Sequence, residues 1–141
     1  MPEEQAVKLG GCQCGAVRFS SAGEPLALYA CHCRECQKQS ASAFGLSLQV
    51  ARSGLTILAG QPEAWTRSTD SGGRLTCRFC GACGSRLWHE ATPTSETVTL
   101  KAGCLDDPPD LTGAVHIWTA RKLKGVVIPN AAVQFSGEPP D

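Results

Sequence analysis

The stretch FCGACGSRL, residues 79–87, holds two cysteines separated by two residues, with a glycine directly after the second. This is the pattern of a zinc knuckle. A tight turn brings both sulfurs to one ion, and Gly84 can take the left-handed conformation that the turn requires. One such turn supplies half of a tetrahedral site. GGCQCG, residues 10–15, supplies a second pair flanked by glycines. In a straight strand, residues i and i+2 share a face but lie nearly 7 Å apart, at about 3.3 Å rise each. The glycines must therefore bend the chain for Cys12 and Cys14 to reach one ion. We expect Cys12, Cys14, Cys80 and Cys83 to form a closed structural zinc site that ties an N-terminal hairpin to the middle of the chain. Such a site contributes on the order of 10 kcal/mol to folding.

The chain has 141 residues, 42% of them hydrophobic, and its 15 glycines and 9 prolines are spread along it. This is the length of one ordinary domain, enough to bury a core. Segments 15–23, 42–50, 55–60, 73–79, 96–103, 114–122 and 126–135 alternate or cluster β-formers between Gly, Pro, Ser or Asp. A short helix is expected at about 33–42, and 106–113 reads as a loop or one helical turn. The C-terminal SGEPPD reads as frayed. The predicted fold is mainly β: a single compact zinc-binding domain, residues 1–141 with its core at about 7–135. It is built of short antiparallel strands with at most one or two short helices, and its cysteines lie in the connections.

Thirteen basic and thirteen acidic residues give a formal charge of zero, which argues against nucleic acid or an anionic membrane as partner. No run approaches the roughly 18 apolar residues of a membrane span. The N-terminal MPEEQAVKLG is acidic and lacks the apolar stretch of a signal peptide. Nine cysteines in such a chain point to metal binding or catalysis rather than disulfides, and to a cytoplasmic protein.

CHCRECQKQS, residues 31–40, gathers three more thiols, Cys31, Cys33 and Cys36. Three protein thiolates and an open fourth position are how catalytic zinc is held. The fourth ligand would be water or an incoming thiol, whose proton the ion removes. Two alternatives stay open: Cys104 or Cys77 closes the site as a second structural zinc, or the trio is reduced and metal-free. Cys77, Cys80 and Cys83 also spell the opening of an iron–sulfur run, but position 87, where the fourth cysteine would follow, is Leu87. Cys77 reads instead as core or as support for the ligands. His32, between two ligands, reads as a hydrogen-bonding neighbour. Trp88, His89, His116 and Trp118 lie on strand-like stretches, where Trp is usually core. Either histidine, His89 or His116, can also serve as a general acid or base.

Taken together, these motifs resemble the glutathione-dependent formaldehyde-activating enzyme family, which shares its domain with centromere protein V. GGCQCGAVRF, YACHCRECQKQSASAFG and RFCGACGSRLW are similar to its three cysteine motifs, and TVTLKAGCLDD and AVHIWTARK to its later β segments. The resemblance covers about residues 7–135. It implies a β-rich zinc fold related to that of a small Rab-GTPase accessory protein. It also implies Cys12, Cys14, Cys80 and Cys83 as structural zinc ligands, and Cys31, Cys33 and Cys36 as ligands of a catalytic, labile zinc. One departure is Lys124-Gly125, where members often carry an aromatic residue. The implied reaction joins glutathione and formaldehyde into S-hydroxymethylglutathione and is classed with the carbon–sulfur lyases. Glutathione carries two carboxylates, so cations are expected around it. Arg34, Lys38 and Arg86 are the candidates, with Ser40 and Gln37 as hydrogen-bonding groups. A zinc-stabilised binding module without turnover, and an enzyme using another small thiol, are the alternative functions.

Overall fold

The computed structural model describes residues 6–92 and 95–140; the remaining parts of the expected 1–141 domain lie outside the described residues. In chain order the elements are β1 (Val7–Gly11), β2 (Arg18–Ala22), β3 (Ala27–Cys31), α1 (Arg34–Ser40), β4 (Gly45–Ala51), β5 (Leu55–Ala59), β6 (Glu63–Ser68), β7 (Arg74–Phe79), β8 (Arg86–Thr92), β9 (Thr97–Lys101) and β10 (Val115–Ile117). Short 3₁₀ turns follow β4 and β9, and another lies at Thr119–Arg121. Among the described residues the fold is mainly β with one α-helix. Strands β1-β2-β5 form one sheet, and β10-β3-β4-β9-β8-β7-β6 form a second.

Alternation along two adjacent strands of the larger sheet sorts its faces. In β4 (GLSLQVA), Leu46, Leu48 and Val50 point one way and Gly45, Ser47 and Gln49 the other. In β9 (TVTLK), Val98 and Leu100 oppose Thr97, Thr99 and Lys101. Register matches like with like: Leu48 faces Leu100, and Ser47 faces Lys101. The apolar face packs on Phe19 and Val17 of the smaller sheet region, with Leu87 and Trp88 from β8 completing the cluster. Phe19 meets Trp88 edge-on at 6.1 Å between ring centres. The opposite face carries the polar side chains of both strands.

Four features differ from the sequence expectation. Strand β10 pairs with β3 in parallel, Val115 opposite Tyr29 and Ile117 opposite Cys31, so the sheet is not wholly antiparallel. Residues 126–135 form no strand. Pro129 has no N–H to give a ladder, and its carbonyl instead accepts from Ala132 N–H in a turn. A single bridge between His116 and Gln134 remains. The tail at 136–138 is also tied down: Trp118 N–H donates to the Gly137 carbonyl, and the Trp118 indole donates to Glu138 at 2.7 Å. Strands β1, β3 and β6 are short segments that the alternation pattern does not announce.

Phe19 is fully buried at the meeting of the two sheets. Phe19→Ala is expected to lower stability by about 3–5 kcal/mol, read as a shift of the urea unfolding midpoint against the native protein.

Candidate metal centres and the adjoining cavity

Two hairpin turns build the first cysteine group. The β1–β2 turn carries Cys12 and Cys14, and the β7–β8 turn carries Cys80 and Cys83. Each turn is closed by a glycine N–H onto its first cysteine, three residues back in one turn and four in the other. Gly15 N–H bonds the Cys12 carbonyl, Gly84 N–H bonds the Cys80 carbonyl, and both glycines have positive φ, 82° and 83°. That backbone is open to glycine with little strain. Gln13 N–H donates to Ser85 Oγ at 2.9 Å, which locks one turn to the other. All four sulfurs lie within 4.8 Å of one another. Cys12 to Cys14 is 3.6 Å and Cys14 to Cys80 is 3.8 Å. A tetrahedron with zinc–sulfur bonds of about 2.3 Å has sulfurs about 3.8 Å apart, so the set fits that ion. Val17 N–H donates to Cys12 Sγ, and the Ser85 hydroxyl and backbone pull the exposed Cys83 thiol down to about 5. Both effects favour the thiolate, the form that binds metal.

The second group forms where β3 passes into α1. Cys31 is the last residue of β3, Cys33 caps the helix, and Cys36 lies in its first turn. The Cys33 sulfur accepts from Cys36 N–H at 3.3 Å and from the Cys31 thiol at 3.3 Å. These three sulfurs also lie within 4.8 Å of one another, and no fourth Cys, His, Asp or Glu donor among the described residues joins them. The Cys104 thiol donates to the Arg86 carbonyl instead. The set fits a three-thiolate site. Hydrogen bonds from the Cys31 and Cys36 thiols, and from backbone N–H groups, hold Cys33 far below the usual thiol range. Cys31 is pushed up because it is the donor to Cys33. Gly45 lies directly opposite Cys31. A Cβ there would sit 3.1 Å from Cys36 Cβ, so glycine makes room for the helix turn.

The ammonium of Lys101 is buried beneath this trio, 3.3 Å from Ser47 Oγ. Burial lowers its pKa, and the thiols of Cys36 and Cys31 oppose that shift. Among the described residues it has no carboxylate partner. A buried cation without one is costly, so negative sulfur is the charge it answers.

Cross-strand pairs extend the polar face outward: Lys101 and Thr99 on β9, His89 opposite Thr99, Cys77 opposite His89, and Trp65 opposite Cys77. Helix α1 lies beside this row, and between them is a cavity of about 230 Å³ lined by Cys36, Lys38, Trp65, Arg67, Arg86 and His89, with Glu35, Gln39, Leu75 and Cys77. His89 has a buried Nδ1 without a hydrogen-bond partner. Burial, then the positive charges of Lys101, Arg67 and Arg86, push its pKa down to about 4. The ring is therefore neutral at neutral pH.

Of the substrate-contact candidates, Lys38 and Arg86 line this cavity. Arg34 lines a shallow depression on another side of α1, with Leu123, and bonds the Gln37 side chain. The Ser40 hydroxyl bonds the Cys36 carbonyl at 2.8 Å and the Phe44 carbonyl at 3.2 Å. Gln37 is buried, donating to the His32 and Arg121 carbonyls, and so anchors the helix. His32 turns away from its cysteine neighbours to meet His116, Nε2 to Nδ1 at 3.0 Å. Arg67 and Trp65 are cavity residues that sequence reasoning misses; they lie far from any cysteine motif, and only the pairing of β6 with β7 brings them in.

Two small sheets that share an apolar core, with one three-thiol group and one four-thiol group that could each hold a metal ion, define a small cysteine-rich β protein. The sequence model of the family described as glutathione-dependent formaldehyde-activating enzyme (GFA) matches residues 7–121. The chain belongs to that family. The fold is also similar to the crystal structure of a Rhodobacter sphaeroides protein, a structural genomics target, with a TM-score of 0.59 at 22% identity, covering 77% of this chain and 98% of the other.

The depressed pKa of His89 sets a pH dependence. An unfolded histidine titrates near 6.5, whereas the folded ring stays neutral down to about 4. Across that window the unfolded chain binds a proton that the folded chain refuses, so stability falls as pH drops from about 6.5 towards 4. The full effect is roughly 3 kcal/mol, at 1.36 kcal/mol per pKa unit. His89→Gln should lose less stability over the same range, because any acid loss of metal is common to both proteins. Unfolding curves at a series of pH values compare the two slopes.

Proposed function

We propose that this chain is a zinc-dependent enzyme of the carbon–sulfur lyase type that adds a small thiol to an aldehyde, with glutathione and formaldehyde as the substrates and S-hydroxymethylglutathione as the product. The reading takes Cys12, Cys14, Cys80 and Cys83 as a structural zinc site and Cys31, Cys33 and Cys36 as the reactive one. It takes the chain as a single cytoplasmic domain that works without nucleic acid or membrane; no helix among the described residues is long and apolar enough to cross one. The observation that carries the reading is the three-thiol group with no fourth protein donor among the described residues, one of whose members, Cys36, lines a cavity. Membership of the family supports the same reaction.

The chemistry is redox-neutral. The thiol gives up its proton, its sulfur lone pair forms the bond to the aldehyde carbon, and the carbonyl π pair moves to oxygen, which takes a proton. Zinc held by Cys31, Cys33 and Cys36 would supply Lewis acidity that favours the thiolate and stabilises charge on the oxygen. The protein supplies the rest. The cavity holds both reactants together, which is the main source of rate for an addition this easy. The Lys101 ammonium offsets the negative charge that gathers around the trio. The neutral His89 ring lines the cavity and adds no charge beside the reacting atoms. Very tight capture of the thiolate would blunt it, because nucleophilicity falls as thiol pKa falls.

The two cysteine groups should therefore fail differently. Cys80→Ser is expected to prevent folding, seen as loss of the cooperative thermal transition. Cys36→Ser should fold with its structural zinc retained by elemental analysis, yet should no longer accelerate S-hydroxymethylglutathione formation followed by ¹³C-formaldehyde NMR. Equal collapse of both variants would contradict this division.

A further inference from the structure

The cavity beside Cys36 is lined by three cations, Lys38, Arg67 and Arg86, and one carboxylate, Glu35. The arginines that hold carboxylates within the fold are Arg18, Arg52 and Arg78. Arg67 and Arg86, both half-buried, have none within ion-pair distance among the described residues. Two arginine side chains thus line a concave site without a carboxylate partner among the described residues, and the Arg67 guanidinium donates to the Ser68 carbonyl at 3.3 Å.

Their direction is built, not incidental. Trp65 and Arg67 are two apart on β6 and share a face. Arg86 would not share it if β8 alternated regularly, because Trp88 packs in the core on the opposite side. A bulge intervenes: Arg78 faces Trp88, but the next residue, Phe79, faces Arg86. The extra residue, Leu87, follows Trp88 into the core, and Arg86 is turned onto the face of Trp65, as bulges do beside sites. There its guanidinium lies over the half-exposed Trp65 ring, 5.4 Å from the centre. Stacking of this kind fixes the plane of the fork while leaving its N–H groups free. Burial first, and then the charges of Lys101 and these two arginines, lower the pKa of His89 in the same cavity.

Size narrows the ligand. Pockets that enclose a drug-sized molecule run from about 300 to 1,000 Å³, and this one is about 230 Å³. It has room for a thiol arm and one carboxylate, with anything larger lying out over the rim near Lys38.

We propose that Arg67 and Arg86, with Trp65 as their apolar backing, form a carboxylate-binding subsite, so that the thiol handled at Cys31, Cys33 and Cys36 is a thiol acid, and that a small mercaptocarboxylate is recognised without the rest of a peptide. The proposal rests on the thiol-acting reading above and adds the chemical class of the substrate. Charge-assisted fork contacts to a carboxylate provide the discrimination; a neutral amide of the same shape cannot replace them.

The test uses the zinc-loaded protein and two probes that differ only in charge, 3-mercaptopropionate and 3-mercaptopropionamide, with affinities from titration calorimetry. The acid is expected to bind at least about tenfold more tightly than the amide, in line with charge-assisted bonds. Arg86→Met and Arg67→Met should each remove most of that preference while leaving amide binding in place, which also reports that the variants are folded. Arg74→Met, an exposed change outside the cavity, should keep the preference. Equal binding of acid and amide by the native protein would overturn the carboxylate subsite and leave the thiol reading standing. Equal weakening of both probes in the arginine variants would likewise overturn it. Failure of both probes to bind would overturn this proposal, and if glutathione also failed to bind the thiol reading would fall with it.

Discussion

Four sulfurs drawn from two distant hairpin turns to within 4.8 Å of one another are the constraint on which the structure depends. As thiolates they would repel; as thiols they offer only weak hydrogen bonds. A cation at their centre would resolve the conflict. The two turns belong to different sheets, so closing the group fixes how the β1–β2 hairpin sits against β7 and β8. The Gln13–Ser85 bond and the paired glycine turns prepare the geometry from the backbone side.

From that clamp the larger sheet can give its two faces different work. Leu48, Val50, Val98, Leu100 and Trp88 turn towards Phe19 and make the core. The reverse face carries Cys31, Gly45, Ser47, Lys101, His89, Cys77 and Trp65 in neighbouring register positions. Core packing holds the side chains of this face in place without contributing to them chemically, and strands position such groups more firmly than loops do. Lys101 marks the boundary of the two regimes: its strand neighbour Leu100 is core, while its own ammonium answers the trio.

Both cysteine groups are legible in the sequence because metal-ligand spacing is a local signal, set by turns of a few residues. The alternation in GLSLQVA and TVTLK is legible for the same reason. What the sequence hides is non-local. The cavity needs β6 to pair with β7, and nothing near Trp65 or Arg67 announces that partner. The parallel contact of β10 with β3 has no turn signature either, since the two strands are far apart in sequence. Arg34 and Arg86 look alike in the sequence, each beside a cysteine motif. Helix rotation sends one to an outer depression, and a strand irregularity sends the other into the cavity. Residues 126–135 mislead because β-branched composition outweighs the single Pro129 in a pattern count, although the missing N–H decides the backbone.

The irregularity at Leu87 makes the strand tolerant of a change in length. Leu87 is the extra residue, so its removal would leave Arg86 opposite Phe79, one place before Trp88 and still on the cavity face. The loss would fall on the core, where the Leu87 side chain is fully buried, and the cavity wall would keep its guanidinium.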